Sequence, residues 1–432
     1  MVRIIKASDK HFPEFIENLN SATKAEMSKA VIFSVEEIAA NVIKNGDDAL
    51  ISYTNKFDRT NYKHANELRV KSADIEKAYK DCDDETIAAL KKAANRIELY
   101  HKKQMPSDID YKDKEGVRLG NLWKSIEKVG IYVPGGLASY PSSVLMNAIP
   151  ARVAGVKNIV MAVPAPEGKL NPVVLAAAKI AGVKEIYKIG GAQAIAALAT
   201  GTKTVPSVDK IVGPGNAYVA AAKRHFYGTV GIDMIAGPSE ILVVADNKNN
   251  PDWIAADLLS QAEHDADARS ILITNEEKFA NSVVESVEAL LKKIDRREIA
   301  EKSWKNNGAV IIVKSFDESV DLINKIAPEH LELALDRKMA QKITDHVHNT
   351  GAVFIGRYTP EAIGDYTAGP SHVLPTAGTA RFSSGLSVFD FLKRMSLIEC
   401  TEKSFNKLVG ATAKLADEEG LTAHALSITI RT

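Results

Sequence analysis

Residues 129–163 read VGIYVPGGLASYPSSVLMNAIPARVAGVKNIVMAV. A short apolar run at 130–133 enters a Pro-Gly-Gly turn, a helical stretch follows at 142–154, and a second apolar run spans 158–163. Strand, glycine turn, helix, strand is the βαβ unit of a parallel sheet, because two parallel strands need a crossover of helix length between them. The rhythm continues with runs at 185–189 and 210–212, separated by helical stretches at 172–181 and 192–199 and followed by one at 217–224. Three of these strands open into glycine turns: PGG at 134–136, GGAQ at 190–193 and GPGN at 213–216. In a parallel sheet such turns gather at the carboxyl edge, where ligands bind, and their free N–H groups suit a phosphate. None completes G-x-G-x-x-G and no Walker A sequence is present, so each turn alone specifies little.

A second series of runs, at 240–245, 270–274, 309–313 and 352–355, has helical stretches between its members at 253–264, 276–294, 317–326 and 338–348. The expected fold is α/β, with two Rossmann-like parallel-sheet domains, one inserted in the other, plus small N- and C-terminal segments. The expected boundaries are an arm at 1–28, a first domain at 29–130 and 239–382, an inserted domain at 131–238, and a tail at 383–432. The helical block that begins at Ser34 and runs to about Gln104 is assigned to the first domain.

With 432 residues the chain exceeds one hydrophobic core. Its 55 basic and 55 acidic residues offer no electrostatic argument for nucleic acid or an anionic membrane. No apolar run is long enough to span a bilayer, and the first residues lack a signal-peptide core. Two cysteines, Cys82 and Cys400, exclude a disulfide framework and a thiolate zinc site, and they suit the cytoplasm. Neither sits in the glycine-loop setting of a catalytic thiol.

Five stretches carry candidate chemistry. In LLSQAEHDADA (258–268), Gln261 and His264 leave one helix face at i and i+3. The competing explanation is a solvated helix end, since Glu263, Asp265 and Asp267 surround them. Ser239 and Glu240 in IAGPSEILVVAD stand where a loop enters a strand. In APEHL (327–331), Glu329 and His330 follow Pro328 at what reads as a helix start. The positive end of a helix would hold the ring neutral, as a general base requires. Residues 364–382, GDYTAGPSHVLPTAGTARF, form a long aperiodic loop with Asp365 and His372. Last, EEGLTAHALSITIR (418–431) places Glu419 and His424 around a glycine turn ahead of alternating Leu426, Ile428 and Ile430. Gln261, His264, Asp365 and His424 together offer nitrogen and oxygen ligands to a divalent ion, zinc being the natural candidate, although spacing alone does not assemble them.

Together these motifs resemble the bacterial histidinol dehydrogenase family, end to end, most densely in GIYVPGGLASYPSSVLMNAIPARVAGV, GGAQAIAALATGT, KIVGPGNAYVAAAKR, IDMIAGPSEILVVAD, DLLSQAEHDADA, APEHLEL, GDYTAGPSHVLPTAGTARFSSGLSVFDF and EGLTAHALSI. The resemblance implies one zinc per subunit on Gln261, His264, Asp365 and His424, and acid/base roles for Glu329 and His330. It implies substrate contacts at Ser239, Gln261, His264, His330, Asp365, Glu419 and His424, and NAD contacts at Tyr132, Gln193 and Asn216. The implied reaction takes L-histidinol through L-histidinaldehyde to L-histidine with two NAD, in the last steps of histidine biosynthesis. The implied assembly is a homodimer whose tail reaches the partner's site. Alternatives on the same residues are a zinc- and NAD-dependent dehydrogenase of another small alcohol, or a non-catalytic two-lobed binding protein. Glu419 and His424 weigh against the first, and the APEHL pair against the second.

Overall fold

The structure, a computed structural model, describes residues 2–23, 28–135 and 140–432; Gly136 of the PGG turn lies outside them. Its strands, in chain order, are β1 (Arg3–Lys6), β2 (Ile109–Lys112), β3 (Arg118–Ser125), β4 (Lys128–Tyr132), β5 (Asn158–Ala162), β6 (Glu185–Tyr187), β7 (Lys210–Val212), β8 (Gly231–Ile232), β9 (Glu240–Ala245), β10 (Arg269–Thr274), β11 (Ala309–Ile312), β12 (His330–Ala334), β13 (Ala352–Ile355) and β14 (Leu392–Glu399). One all-parallel sheet has the order β1-β11-β10-β9-β12-β13. A smaller all-parallel sheet has the order β6-β5-β4-β7-β8. The chain leaves the larger sheet after β1, builds the smaller one, and returns at β9. Both sheets are doubly wound, with reversal points between β9 and β12 and between β4 and β7.

Strands β9 (EILVVA) and β10 (RSILIT) are buried at every position, which is why they read as apolar runs without alternation. Ile241, Val243 and Leu272 point to one face, beneath Ile254, Leu258 and Val283 of the covering helices. Leu242, Val244 and Ile271 point to the other, against Leu322, Ile323 and Ile343. Each such side chain contributes about 1.5–3 kcal/mol by leaving water.

The helical block ahead of β4 departs from its expected place. Val35, Ile38 and Val42 of helix Lys29–Asn45 pack with Val160, Tyr187 and Ile211 on one face of the smaller sheet. Leu90, Ala94 and Ile97 of helix Asp84–Lys102 join Ile131, Met161 and Ile186 on the other. The larger sheet's faces are already covered by its own crossovers and by helix Phe12–Thr23, so these apolar stripes find the smaller sheet instead. The N-terminal arm likewise supplies edge strand β1 of the larger sheet.

Three further elements add to the pattern reading. The stretch at 276–294 is followed by a second helix, Arg297–Asn307, masked by its charge because it buries only Ala300, Ser303 and Trp304. In the tail, β14 pairs antiparallel with β3 along eight residues. The closing segment, in which Leu426, Ile428 and Ile430 alternate, is a helix, Thr422–Thr429; Leu426 and Ile430 stand one turn apart and exposed. No helix among the described residues is long and apolar enough to cross a membrane.

Candidate functional site

The candidate site forms at the amino ends of β9 and β12, opposite to the edge that doubly wound sheets usually use. APEHL is not a helix start. Helix Asp317–Ile326 ends at Ala327, which takes the left-handed conformation (φ 54°), and His330 is already the first residue of β12. Gly351 is required behind this turn, since a Cβ there would lie 2.5 Å from the Glu329 carbonyl oxygen. Parallel pairing sets His330 opposite Ile241, so the Glu240 backbone serves both candidate residues. Its N–H donates to Glu329 Oε2 at 2.9 Å and its carbonyl lies 3.0 Å from His330 Nδ1. Donation of Nδ1–H to that carbonyl leaves His330 Nε2 with a free lone pair. Burial, not a helix end, lowers the His330 pKa and keeps the ring neutral, against an opposing pull from the Asp365 charge.

Helix Glu361–Tyr366 faces this pair, so Asp365 sits on a helix rather than in an aperiodic loop. Glu361 Oε1 is 3.6 Å from His330 Nε2, and Ser260 Oγ donates to Glu361 Oε2 at 3.1 Å. Ligand atoms of His330, Glu361 and Asp365 all lie within 4.8 Å of one another. Gln261 lies in the last turn of helix Pro251–Ala262 and His264 in the turn beyond it, so they are not two positions of one helix. They remain neighbours, with Gln261 Nε2 3.4 Å from His264 Nδ1. His264 Nδ1 also meets the Ser260 carbonyl at 2.9 Å, which leaves its Nε2 available as a ligand.

Burial raises the pKa of Glu361, Asp365 and Glu329, the last well above the ordinary carboxylate value. Glu240 is pushed up to about 7 by the same cause, against the nearby Arg269 charge. Buried Gln261 Oε1, Glu361 Oε1 and His330 Nε2 have no hydrogen-bond partner among the described residues. The unpaired Glu361 oxygen and His330 nitrogen converge with Asp365 on one spot, a donor set that fits a divalent cation. The other sequence candidates divide. Ser239 directly precedes β9 and its carbonyl accepts from Arg269 N–H at 2.9 Å. Glu419 and His424 stay exposed on the tail and are outside the cation-sized cluster of this chain.

The cluster abuts the smaller sheet through one local irregularity. Pro150 lies inside helix Pro141–Val153 and cannot donate to the Met146 carbonyl, and Ser371 Oγ takes that carbonyl at 3.3 Å. His372 then lies 3.1 Å from the Asp365 carbonyl through Nδ1 and 3.3 Å from Ser143 Oγ through Nε2. At the smaller sheet's carboxyl edge, Tyr132 ends β4, Gln193 lies in helix Gly191–Thr200, and Asn216 caps helix Ala217–Phe226. The Tyr132 hydroxyl accepts from Gly191 N–H at 3.1 Å, and burial, helped by the Asp58 charge, pushes the phenol up to about 12. Gly213 needs its hydrogen because a Cβ would lie 2.1 Å from the Tyr132 carbonyl oxygen. Buried Gln193 Oε1 has no hydrogen-bond partner among the described residues.

Glu361 is absent from the sequence candidates, and Glu240 is named there only with Ser239, at the point where a loop enters a strand. The available signals were a carboxylate opening an otherwise apolar strand and a second one helical turn before Asp365.

The sequence model of the histidinol dehydrogenase family matches residues 21–432. The chain belongs to this family. It is 54% identical to "Histidinol dehydrogenase 1" of Nostoc sp. over 429 residues, 99% of this chain and 98% of the relative. It is 54% identical to "Histidinol dehydrogenase" of Brucella suis over 431 residues, 100% and 99% of the two chains. The crystal structure of histidinol dehydrogenase from Elizabethkingia anophelis superposes with a TM-score of 0.93 at 38% identity, covering 100% of this chain and 98% of the other. Membership makes the protein an oxidoreductase of that family.

Beneath the site of this family member lies a second carboxyl pair, Asp257 and Glu332, bonded to each other. Burial raises both, Asp257 to about 6 and Glu332 well above the usual range, with the Asp257 charge adding to the latter. Because the folded values exceed the unfolded ones, their stabilising contribution is complete below the unfolded pKa values and is lost as pH rises through the folded ones. Asp257→Asn keeps a hydrogen bond and removes one titration. Metal-free Asp257→Asn is expected to melt a few degrees above the parent at pH 8 and level with it at pH 5. Equal melting shifts at both pH values would contradict this account.

Proposed function

We propose that the protein oxidises L-histidinol to L-histidine through L-histidinaldehyde, with two NAD per product and one zinc per subunit. The observation that carries this reading is the buried His330 ring, its tautomer set by the Glu240 carbonyl and its free Nε2 beside Glu361, in a chain matched to the family along its length. Zinc would be held by Gln261 Oε1, His264 Nε2, the Asp365 carboxylate and His424, and when bound it orients an amine- and imidazole-bearing alcohol and polarises its oxygen. Bound NAD, held at Tyr132, Gln193 and Asn216, supplies the hydride acceptor.

His330 Nε2 takes the alcohol proton as the first hydride leaves carbon. The aldehyde stays in the site, and Glu329 takes a proton from the water that adds to it. His330 takes the second hydroxyl proton as the hydrated aldehyde loses its hydride. One alcohol, two NAD and one water thus become one carboxylate, two NADH and three protons. No cysteine lies among the residues that build the site, so hydration replaces thiol addition.

A second copy of the chain completes this reading. Glu419 and His424 stand exposed beside Leu415, Leu421, Leu426 and Ile430, also exposed, while Gln261 Oε1 and Glu361 Oε1 have no hydrogen-bond partner among the described residues. A homodimer in which each tail enters the other's site covers the apolar side chains and supplies the missing ligand.

Purified protein with zinc should form two NADH per L-histidinol consumed. Chelation should abolish turnover and added zinc should restore it. A stop at one NADH, or no turnover in the zinc-loaded protein, would overturn the assignment.

A further inference from the structure

In doubly wound dinucleotide sites, a carboxylate at the end of the second strand commonly binds the adenosine ribose. The smaller sheet's second strand is β5, and its end lacks such a residue in the usual place. The loop after it reads VPAPEG, and its one acid, Glu167, is engaged by Arg59 at 3.8 Å and Lys169 at 3.4 Å. A carboxylate arrives from elsewhere. Asp58, the C-terminal cap of helix Asp47–Phe57, is 8% exposed, and its Oδ2 accepts from Ala165 N–H at 3.0 Å. Its carbonyl accepts from Glu167 N–H at 2.7 Å. No hydrogen bond to Oδ1 occurs among the described residues. The Asp58 charge reaches the Tyr132 hydroxyl, which itself meets the Gly191 amide that opens the next helix.

Backbone strain marks the same corner. Among the described residues four non-glycines have positive φ: Arg59, Glu167, Ala327 and Ala377. Ala327 adjoins the Glu329 turn, and the Ala377 amide faces the Glu240 carboxyl. The other two, both at φ 55°, flank Asp58 and the loop it grips. Strain of this kind persists where a site requires the geometry.

We propose that Asp58 binds the adenosine ribose of the dinucleotide through Oδ1 and selects NAD over NADP. The proposal rests on the reading of the smaller sheet as the NAD side. A carboxylate accepts from the 2′-hydroxyl of NAD and repels the 2′-phosphate of NADP, while Arg59, the adjacent cation, is drawn off by Glu167.

The test is fluorescence titration of the full-length protein with NADH, NADPH and the adenosine 2′-deoxy analogue of NADH, without L-histidinol. The parent protein should bind NADH about 10–100-fold more tightly than either other nucleotide, the range expected for one charge-assisted hydrogen bond. Asp58→Asn, which keeps an acceptor for the Ala165 amide, should bring the three affinities together. Equal binding of NADH and its 2′-deoxy analogue by the parent would overturn the proposal even if the variant does not fold. Retained discrimination in Asp58→Asn would overturn it as well. Failure of the histidinol assignment alone would show as absent turnover with nucleotide discrimination intact.

Discussion

His330→Gln should lower L-histidinol turnover by about 10²–10⁴-fold, the range a lost general base produces, with zinc content unchanged. The ring is built for that task from both sides. Its Nδ1 is committed to the Glu240 carbonyl at 3.0 Å, which forces the lone pair onto Nε2. Burial lowers its pKa, so the neutral form persists below the pH at which a free histidine protonates. Glutamine approximates the ring's polarity and cannot accept a proton near neutral pH. Zinc content separates two roles for the ring, because His330 also lies in the cation-sized cluster with Glu361 and Asp365. Loss of zinc together with activity would make His330 a ligand, and unchanged turnover would refute both roles. Metal analysis beside the NADH assay decides.

Glu329→Gln should separate the two oxidations. NADH formation from supplied L-histidinaldehyde should fall about 10²-fold or more, while the first NADH from L-histidinol falls far less. Glu329 is buried, and its Oε2 is fixed by the Glu240 amide at 2.9 Å. An amide oxygen satisfies the same donor, so the substitution removes proton acceptance and leaves the anchor. Burial raises the Glu329 pKa well above 4.5, which makes its carboxylate a stronger base than an exposed glutamate. The sign follows: the group accepts a proton only when ionised, so aldehyde oxidation should fail as pH drops through this raised value, above the ordinary carboxylate range. Equal losses in both half-reactions would assign Glu329 to a step they share.

Much of the site was legible as residue types and little as geometry. Glu329 and His330 are legible as an adjacent acid and imidazole after Pro328, yet APEHL reads locally as a helix start. Pro328 and the carboxylate after it suit a first helical turn. The structure makes the segment a turn and a strand start, because Ala327 ends the preceding helix and β12 is buried on both faces, which erases the alternation of a half-exposed strand. Glu361 enters the cluster one helical turn before Asp365, and only the fold sets it beside His330. The helical block at 29–104 shows the same limit, since its apolar stripes specify that it packs and not on which sheet.

The sequence by itself determined the two βαβ series, the glycine turns at strand ends and the family, since all three are written in residue order and short-range period. Tertiary structure alone decided that the Glu329–His330 pair sits at the amino edge of the larger sheet, that Glu240 holds both of its members, and that Pro150 leaves the Met146 carbonyl for Ser371. The physical reason is common to these. Hydrogen bonds and desolvation act between atoms brought close by parallel strand register and packed faces, and those distances are unrelated to separation along the chain.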